Sequence, residues 1–129
     1  MQIILLLEGS ARKVSALSLS KGIPIYQAEL FPELDERTKL KIVNYLDFLS
    51  KSAFPVTNTS ISKKLKGYHN LYELLPKPVR LFFFMIGKDA VITHGFVKKK
   101  YKTDKTEIKK AESLKMRFFK EEGEDDSVR

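Results

Sequence analysis

The residues best suited to chemistry are cations gathered in the second half of the chain. Arg80 stands alone in the apolar run VRLFFFMI (79–86), and His94 lies in AVITHGFV (90–97). Lys98, Lys99, Lys100 and Lys102 follow, broken by Tyr101, and a second basic group (Lys63, Lys64, Lys66) lies upstream. A guanidinium is planar and always charged, and with ammonium groups it makes a phosphate-holding set. Histidine titrates near neutrality and can move a proton, and a tyrosine ring can stack on a base. Each residue also has a purely structural reading. Arg80 inside an apolar strand needs a partner, and Glu73 would form a plain ion pair with it. His94 could be a hydrogen-bonded sheet histidine, and a lysine run alone is a solvated loop and helix face. Neither a carboxylate dyad nor a metal-ligand cluster accompanies these residues, and no cofactor is implied.

Composition narrows the partners. The chain has 129 residues with a net charge of +8 and a pI of about 9.6. That length suits one domain, and that charge suits an anionic partner. The absence of cysteine excludes disulfides and thiolate metal sites and fits a cytoplasmic setting. Ile3–Leu7 is apolar but ends at Glu8 with no basic leader. It is too short to span a membrane or act as a signal peptide, so no membrane partner is expected and a first strand is.

The elements that must position the cations follow from patterning. Residues 9–23 (GSARKVSALSLSKGI) suit a loop, with Val14–Leu19 as a second short strand at most. Pro24 opens a helix and Pro32 separates it from another, predicted over Glu33–Lys51. Its stripe is Leu40, Val43, Leu46 and Leu49, with Ile42 beside them. Residues 70–97 hold three strand-like runs, NLYELL, VRLFFFMI and AVITHGFV, joined by PKP and GKD. Connectors this short demand an antiparallel meander. Asp104 with Glu107 makes a capping-box-like start to a last helix with the stripe Ile108, Ala111, Leu114 and Phe118. The chain ends in an acidic tail.

The predicted class is α+β. A small antiparallel sheet is built from an N-terminal strand plus a three-stranded C-terminal meander, with two N-terminal helices and a C-terminal helix packed on one face. The domain covers 1–120, and 121–129 is a disordered acidic tail. A three-residue loop at 87–89 sets His94 opposite Phe82 and Phe96 opposite Arg80. Arg80 and His94 then share a face with Lys98 at its edge. A two-residue loop at Pro76–Lys77 sets Glu73 opposite Arg80.

Over roughly residues 24–118 the chain resembles the RelE/ParE superfamily of toxins from bacterial toxin–antitoxin pairs, and is most similar to its HigB-like, phage-derived branch. The resemblance rests on Leu71-Tyr72-Glu73-Leu74, Arg80-Leu81-Phe82-Phe83 and His94-Gly95-Phe96-Val97-Lys98-Lys99. Lys102-Thr103, Glu107-Ile108 and Ala111 follow at the family spacing. Leu75 and Leu114 stand where that branch has arginines, and Asp104 replaces a proline. The resemblance implies a RelE-like fold and metal-independent cleavage of messenger RNA in the ribosome. It assigns catalysis to Arg80, Lys98, Lys99 and His94, and RNA binding to Lys64, Lys66, Lys100, Tyr101 and Lys102. An acidic antitoxin is the implied protein partner. The rival readings are a ParE-like inhibitor of gyrase and a weak homologue that only binds its antitoxin.

Overall fold

A computed structural model describes residues 1–19, 22–53, 60–99 and 104–123. The chain opens with an antiparallel hairpin, β1 (Gln2–Glu8) and β2 (Lys13–Ser18), closed by a Gly9 N–H bond to the Arg12 carbonyl at 3.0 Å. Helix α1 (Ile25–Leu30) and a 3-10 turn (Phe31–Glu33) lead to α2 (Glu36–Lys51). Asp35 caps α2 by accepting from the Thr38 N–H at 2.8 Å. Then come β3 (Ser62–Lys64), β4 (Tyr72–Leu74), β5 (Val79–Ile86), β6 (Asp89–Val97) and α3 (Lys105–Glu122). The strands form one six-stranded sheet in the order β1-β2-β6-β5-β4-β3, in which β2 and β6 are parallel and the other neighbours antiparallel.

The α+β class holds, with a larger sheet than expected. Residues 13–18, expected as loop with at most a short strand over Val14–Leu19, form a full strand whose serines and alanine carry little β signal by themselves. It is stabilised by lying between β1 and β6, where Val14, Ala16 and Leu17 are all fully buried. The helices cover both faces rather than one. Val79, Leu81, Phe83 and Met85 of β5 pack in a cluster with Tyr26, Leu30, Ile42, Leu46 and Leu49 of α1 and α2. Phe84 packs with Phe118 and Phe119, and Phe82 with Phe96 and Ala111, on the α3 side. A strand apolar on both sides therefore has two helical covers.

One helix stripe is rotated from its expected position and another is widened. In α2 the buried residues are Ile42, Leu46, Leu49 and Ser50, while Leu40 and Val43 are more than half exposed. Three-residue spacing drifts around a 3.6-residue helix, and the i, i+4, i+7 set faces the sheet. In α3 the buried set is Ala111, Lys115, Phe118 and Phe119, with Leu114 partly buried. The helix also runs past residue 120 to Glu122, ending at the left-handed Gly123 (φ 68°). Its Glu121 is held by Arg117 at 2.8 Å and by the Met1 ammonium at 2.9 Å. The rest of the expected tail, 124–129, lies outside the described residues.

The β1–β2 turn is pinned to the end of α2. Buried Arg12 donates from Nε to the Leu49 carbonyl (3.2 Å) and from Nη2 to the Ser52 carbonyl (2.6 Å). The Ala11 and Arg12 N–H groups both donate to the Ser50 carbonyl. These donors satisfy carbonyls that a helix C-terminus leaves open, and the cation suits its negative dipole end.

One close approach locates β6 against α1. A Cβ at Gly95 would stand 2.4 Å from Leu81 Cδ2, 2.7 Å from the Arg80 carbonyl oxygen and 2.9 Å from Leu30 Cδ1. The glycine of the His-Gly-Phe motif thus lets helix and strand meet. Gly95→Ala is expected to cost about 2–3 kcal/mol, because a backbone oxygen cannot rotate away as a side chain can. Urea denaturation should show a lower midpoint at unchanged slope; an unchanged midpoint would contradict this packing.

Candidate functional site

Strands β5 and β6 bring the motif residues together through an irregular register. Gly87 and Lys88 make a two-residue turn, so Ile86 faces Asp89 and Met85 faces Ala90, not the three-residue loop expected. Gly87 takes φ 58°, a conformation glycine supplies at no steric cost. A bulge between Leu81 and Phe83 then adds one residue to β6, and Arg80 ends opposite Phe96 as predicted. His94 packs on Phe82 with ring centroids 5.3 Å apart, so it shares the α3 side with Arg80.

Arg80 is committed to Glu73. Its Nη1 donates to Glu73 Oε1 at 2.9 Å, and Lys63 approaches Glu73 Oε2 at 3.8 Å. Glu73 faces Phe82, not Arg80, so the ion pair forms on a sheet diagonal rather than directly across as predicted. The difference arises at Leu75–Pro78, a longer connection than a two-residue loop, with a cis Lys77–Pro78 bond. Glu73 is 2% exposed and Arg80 16%. The Arg80 Nε is buried with no hydrogen-bond partner.

His94 is fully buried, and its Nε2 lies 3.2 Å from Glu107 Oε1. Burial pulls its pKa below 6.5, partly opposed by the hydrogen bond to Glu107. Nδ1 has no partner, so the proton of the neutral ring belongs on Nε2, where it donates to the carboxylate. Lys98 donates to Asp104 Oδ1 at 2.6 Å, and its N–H donates to the Pro78 carbonyl at 2.8 Å. Asp104 and Glu107 were expected to cap α3. Asp104 instead makes no side-chain cap bond, and the two carboxylates reach back to Lys98, just after β6, and to His94 within it. That exchange fastens the start of α3 to the strand carrying the motif.

Lys99 is exposed at the end of β6 and lines a groove of about 360 Å³. Glu107 and Lys110 of α3, Gly95 of β6, and Glu29 and Glu33 complete its polar wall. Lys110 spans to Glu29 of α1 at 2.7 Å. Lys64 is exposed on β3 and donates to the Tyr68 carbonyl at 3.0 Å, while Lys66 lies in the exposed turn beyond. It is Lys63, absent from the predicted set, that reaches Glu73. Lys100, Tyr101 and Lys102 lie outside the described residues.

Three further residues matter. Leu75 is 5% exposed, and Leu114 packs beside Phe118 and Phe119, so both positions carry core side chains. Lys115 is 1% exposed, with its ammonium on the His69 carbonyl and on Glu112 at 2.7 Å. Its position seven residues after Ile108 placed it on the buried stripe, but lysine composition masked that. Among the described residues no group of three or more His, Cys, Asp or Glu is arranged to hold a metal ion, and no helix is long and apolar enough to cross a membrane.

A small mixed sheet with a helix on one side, two on the other and a basic C-terminal motif is compatible with the RelE-like class of α+β domains. The family model for the phage derived protein Gp49-like family (DUF891) matches residues 29–116. The chain belongs to that family, which is associated with RelE-like and toxin-like proteins. No curated protein matches the chain.

Two outcomes follow. Glu73→Ala strands the Arg80 charge and should cost about 2–3 kcal/mol, the magnitude for a hydrogen bond to a charged group. Adding Arg80→Met should recover most of it, as a double-mutant cycle in urea would show; a loss that persists in the double variant would contradict the pairing. The second concerns pH. His94 stays neutral folded but takes a proton below 6.5 when unfolded, so the unfolded state gains protons as pH falls. The contribution of this group should be complete well above pH 6.5 and be lost progressively as pH falls through and below 6.5. Asp35 and Glu121, whose pKa values are lowered from 3.8 and 4.5, contribute loss only below those values. His94→Gln should flatten the upper window in thermal melts, and a slope that survives would assign it elsewhere.

Proposed function

We propose that the protein is the toxin of a type II toxin–antitoxin pair and a metal-independent endoribonuclease acting on ribosome-bound messenger RNA. The observation that carries this is the convergence of Lys98, Lys99 and the His94–Glu107 pair at one end of β6, within the matched family region. Such a set suits a reaction in which the ribose 2′-hydroxyl attacks the adjacent phosphate. Cations balance charge on the phosphoryl oxygens, and a proton must leave the nucleophile and reach the departing 5′-oxygen. The net charge of +8 favours RNA and also an acidic antitoxin that masks the same surface.

A specific observation supports a second reading, that of a weak homologue that only binds its antitoxin. Arg80 and Lys98 are each engaged by a carboxylate, and Leu75 and Leu114 carry no charge where related toxins have arginines. Induction in cells with mapping of messenger RNA 5′ ends separates the readings. Wild type should produce new ends, reduced roughly 10²-fold or more in a Lys98→Ala/Lys99→Ala variant, as for loss of charge-stabilising donors. Growth arrest with DNA damage and no cuts would point to gyrase instead. No arrest at all would leave only the weak homologue.

A further inference from the structure

We propose that the groove between α1 and α3 receives the scissile ribose–phosphate of single-stranded RNA, and that Glu107 is the base that takes the 2′-hydroxyl proton there. This assignment rests on the ribonuclease reading and names the substrate-contacting group within it.

The chemistry requires a proton acceptor, and an ammonium or guanidinium has no lone pair to offer. Glu107 supplies one. It lines the groove and its side chain is 18% exposed, so it meets solvent on one side. On the other it accepts from His94 Nε2 at 3.2 Å. His94 is fully buried and packed against Phe82, and so cannot reach an RNA from where it stands. Its role is to orient Glu107: a base held by a second group, itself fixed by packing, is the usual architecture of an activated proton acceptor. His94 is therefore a positioning residue.

Lys99 faces the same groove, and Lys110 is held within it by Glu29. Strand β5 contributes no lining residue, and Arg80 is turned to Glu73. The phosphate therefore falls to Lys99, not to Arg80. In the step, the 2′-O–H proton passes to the Glu107 carboxylate as the 2′-oxygen bonds to phosphorus. The bond from phosphorus to the 5′-oxygen breaks, and that oxygen takes a proton from the Lys99 ammonium. The products are a 2′,3′-cyclic phosphate and a 5′-hydroxyl. Solvent reprotonates Lys99 and removes the proton from Glu107, so charge and atoms balance without an oxidant or metal.

The test uses the full chain in a cell-free translation reaction on one reporter messenger RNA, with cleavage rates from primer extension across pH. Glu107→Gln should lower the rate roughly 10²-fold or more, the contribution of a general base, and abolish the fall in rate at acid pH. RNA affinity should stay within about threefold, since carboxylates do not hold phosphate. Glu107→Asp keeps charge but moves the oxygens, and should lower the rate at least about tenfold while keeping the acid fall. It decides the matter if the Gln variant fails to fold. Either variant cutting at the wild-type rate overturns the assignment of Glu107 and leaves the ribonuclease reading standing. Wild-type protein that yields no cuts overturns both.

Discussion

Strand β5 sets the terms for the rest of the molecule. Its side chains are apolar on both faces, and Leu81, Phe82, Phe83 and Phe84 are all buried. Water has to be excluded from two sides at once, and no single helix can do that. The chain meets the constraint with α1 and α2, which precede the strand, on one face and with α3, which follows it, on the other. The order of elements thus follows from where the apolar surface lies. Arg80 is the exception on the strand, and Glu73 on the next strand offsets its burial.

The candidate site lies where this sandwich is tied off. Helix α3 must cross back over β6 to cover Phe82 and Phe84. Its N-cap and first-turn acids fasten it there, Asp104 to Lys98 and Glu107 to His94. The candidate site and this structural seam share the same short length of chain at the end of β6. A carboxylate that anchors a helix is then also placed to face a groove, and a cation that suits phosphate is held by an acid of its own chain.

Much of this was legible in sequence. The meander, the Arg80–Glu73 pair and the shared face of Arg80 and His94 follow from alternation and from the expense of an unpaired charge in an apolar strand. The β5–β6 register was legible only near the site, because the bulge restores there the count that a shorter turn removes. Strand β2 was not legible as a full strand, since its small and polar residues are recruited by neighbours distant in sequence. The roles of Asp104 and Glu107 were read locally as a cap, the shortest-range use of an acid at a helix start, while Lys98 and His94 engage them. Glu107 as a groove residue and Lys115 as a core residue carried no local signal, because an acid in a first turn and a lysine in a helix are ordinary surface features.

The sequence by itself determined the types of most elements, the apolar strand that organises them, the positive charge and the motif that places the chain in its family. Those depend on residue type and on spacings of two to four positions, which the backbone geometry enforces locally. The tertiary structure alone decided which acids Lys98 and His94 meet, that both sheet faces are covered, and that the motif divides into a paired cluster at Arg80 and a groove at Lys99 and Glu107. Those depend on how far α3 reaches along β6 and on one glycine, Gly95, letting α1 close against the same strand. Such distances are summed over the whole fold and are written in no single stretch of it.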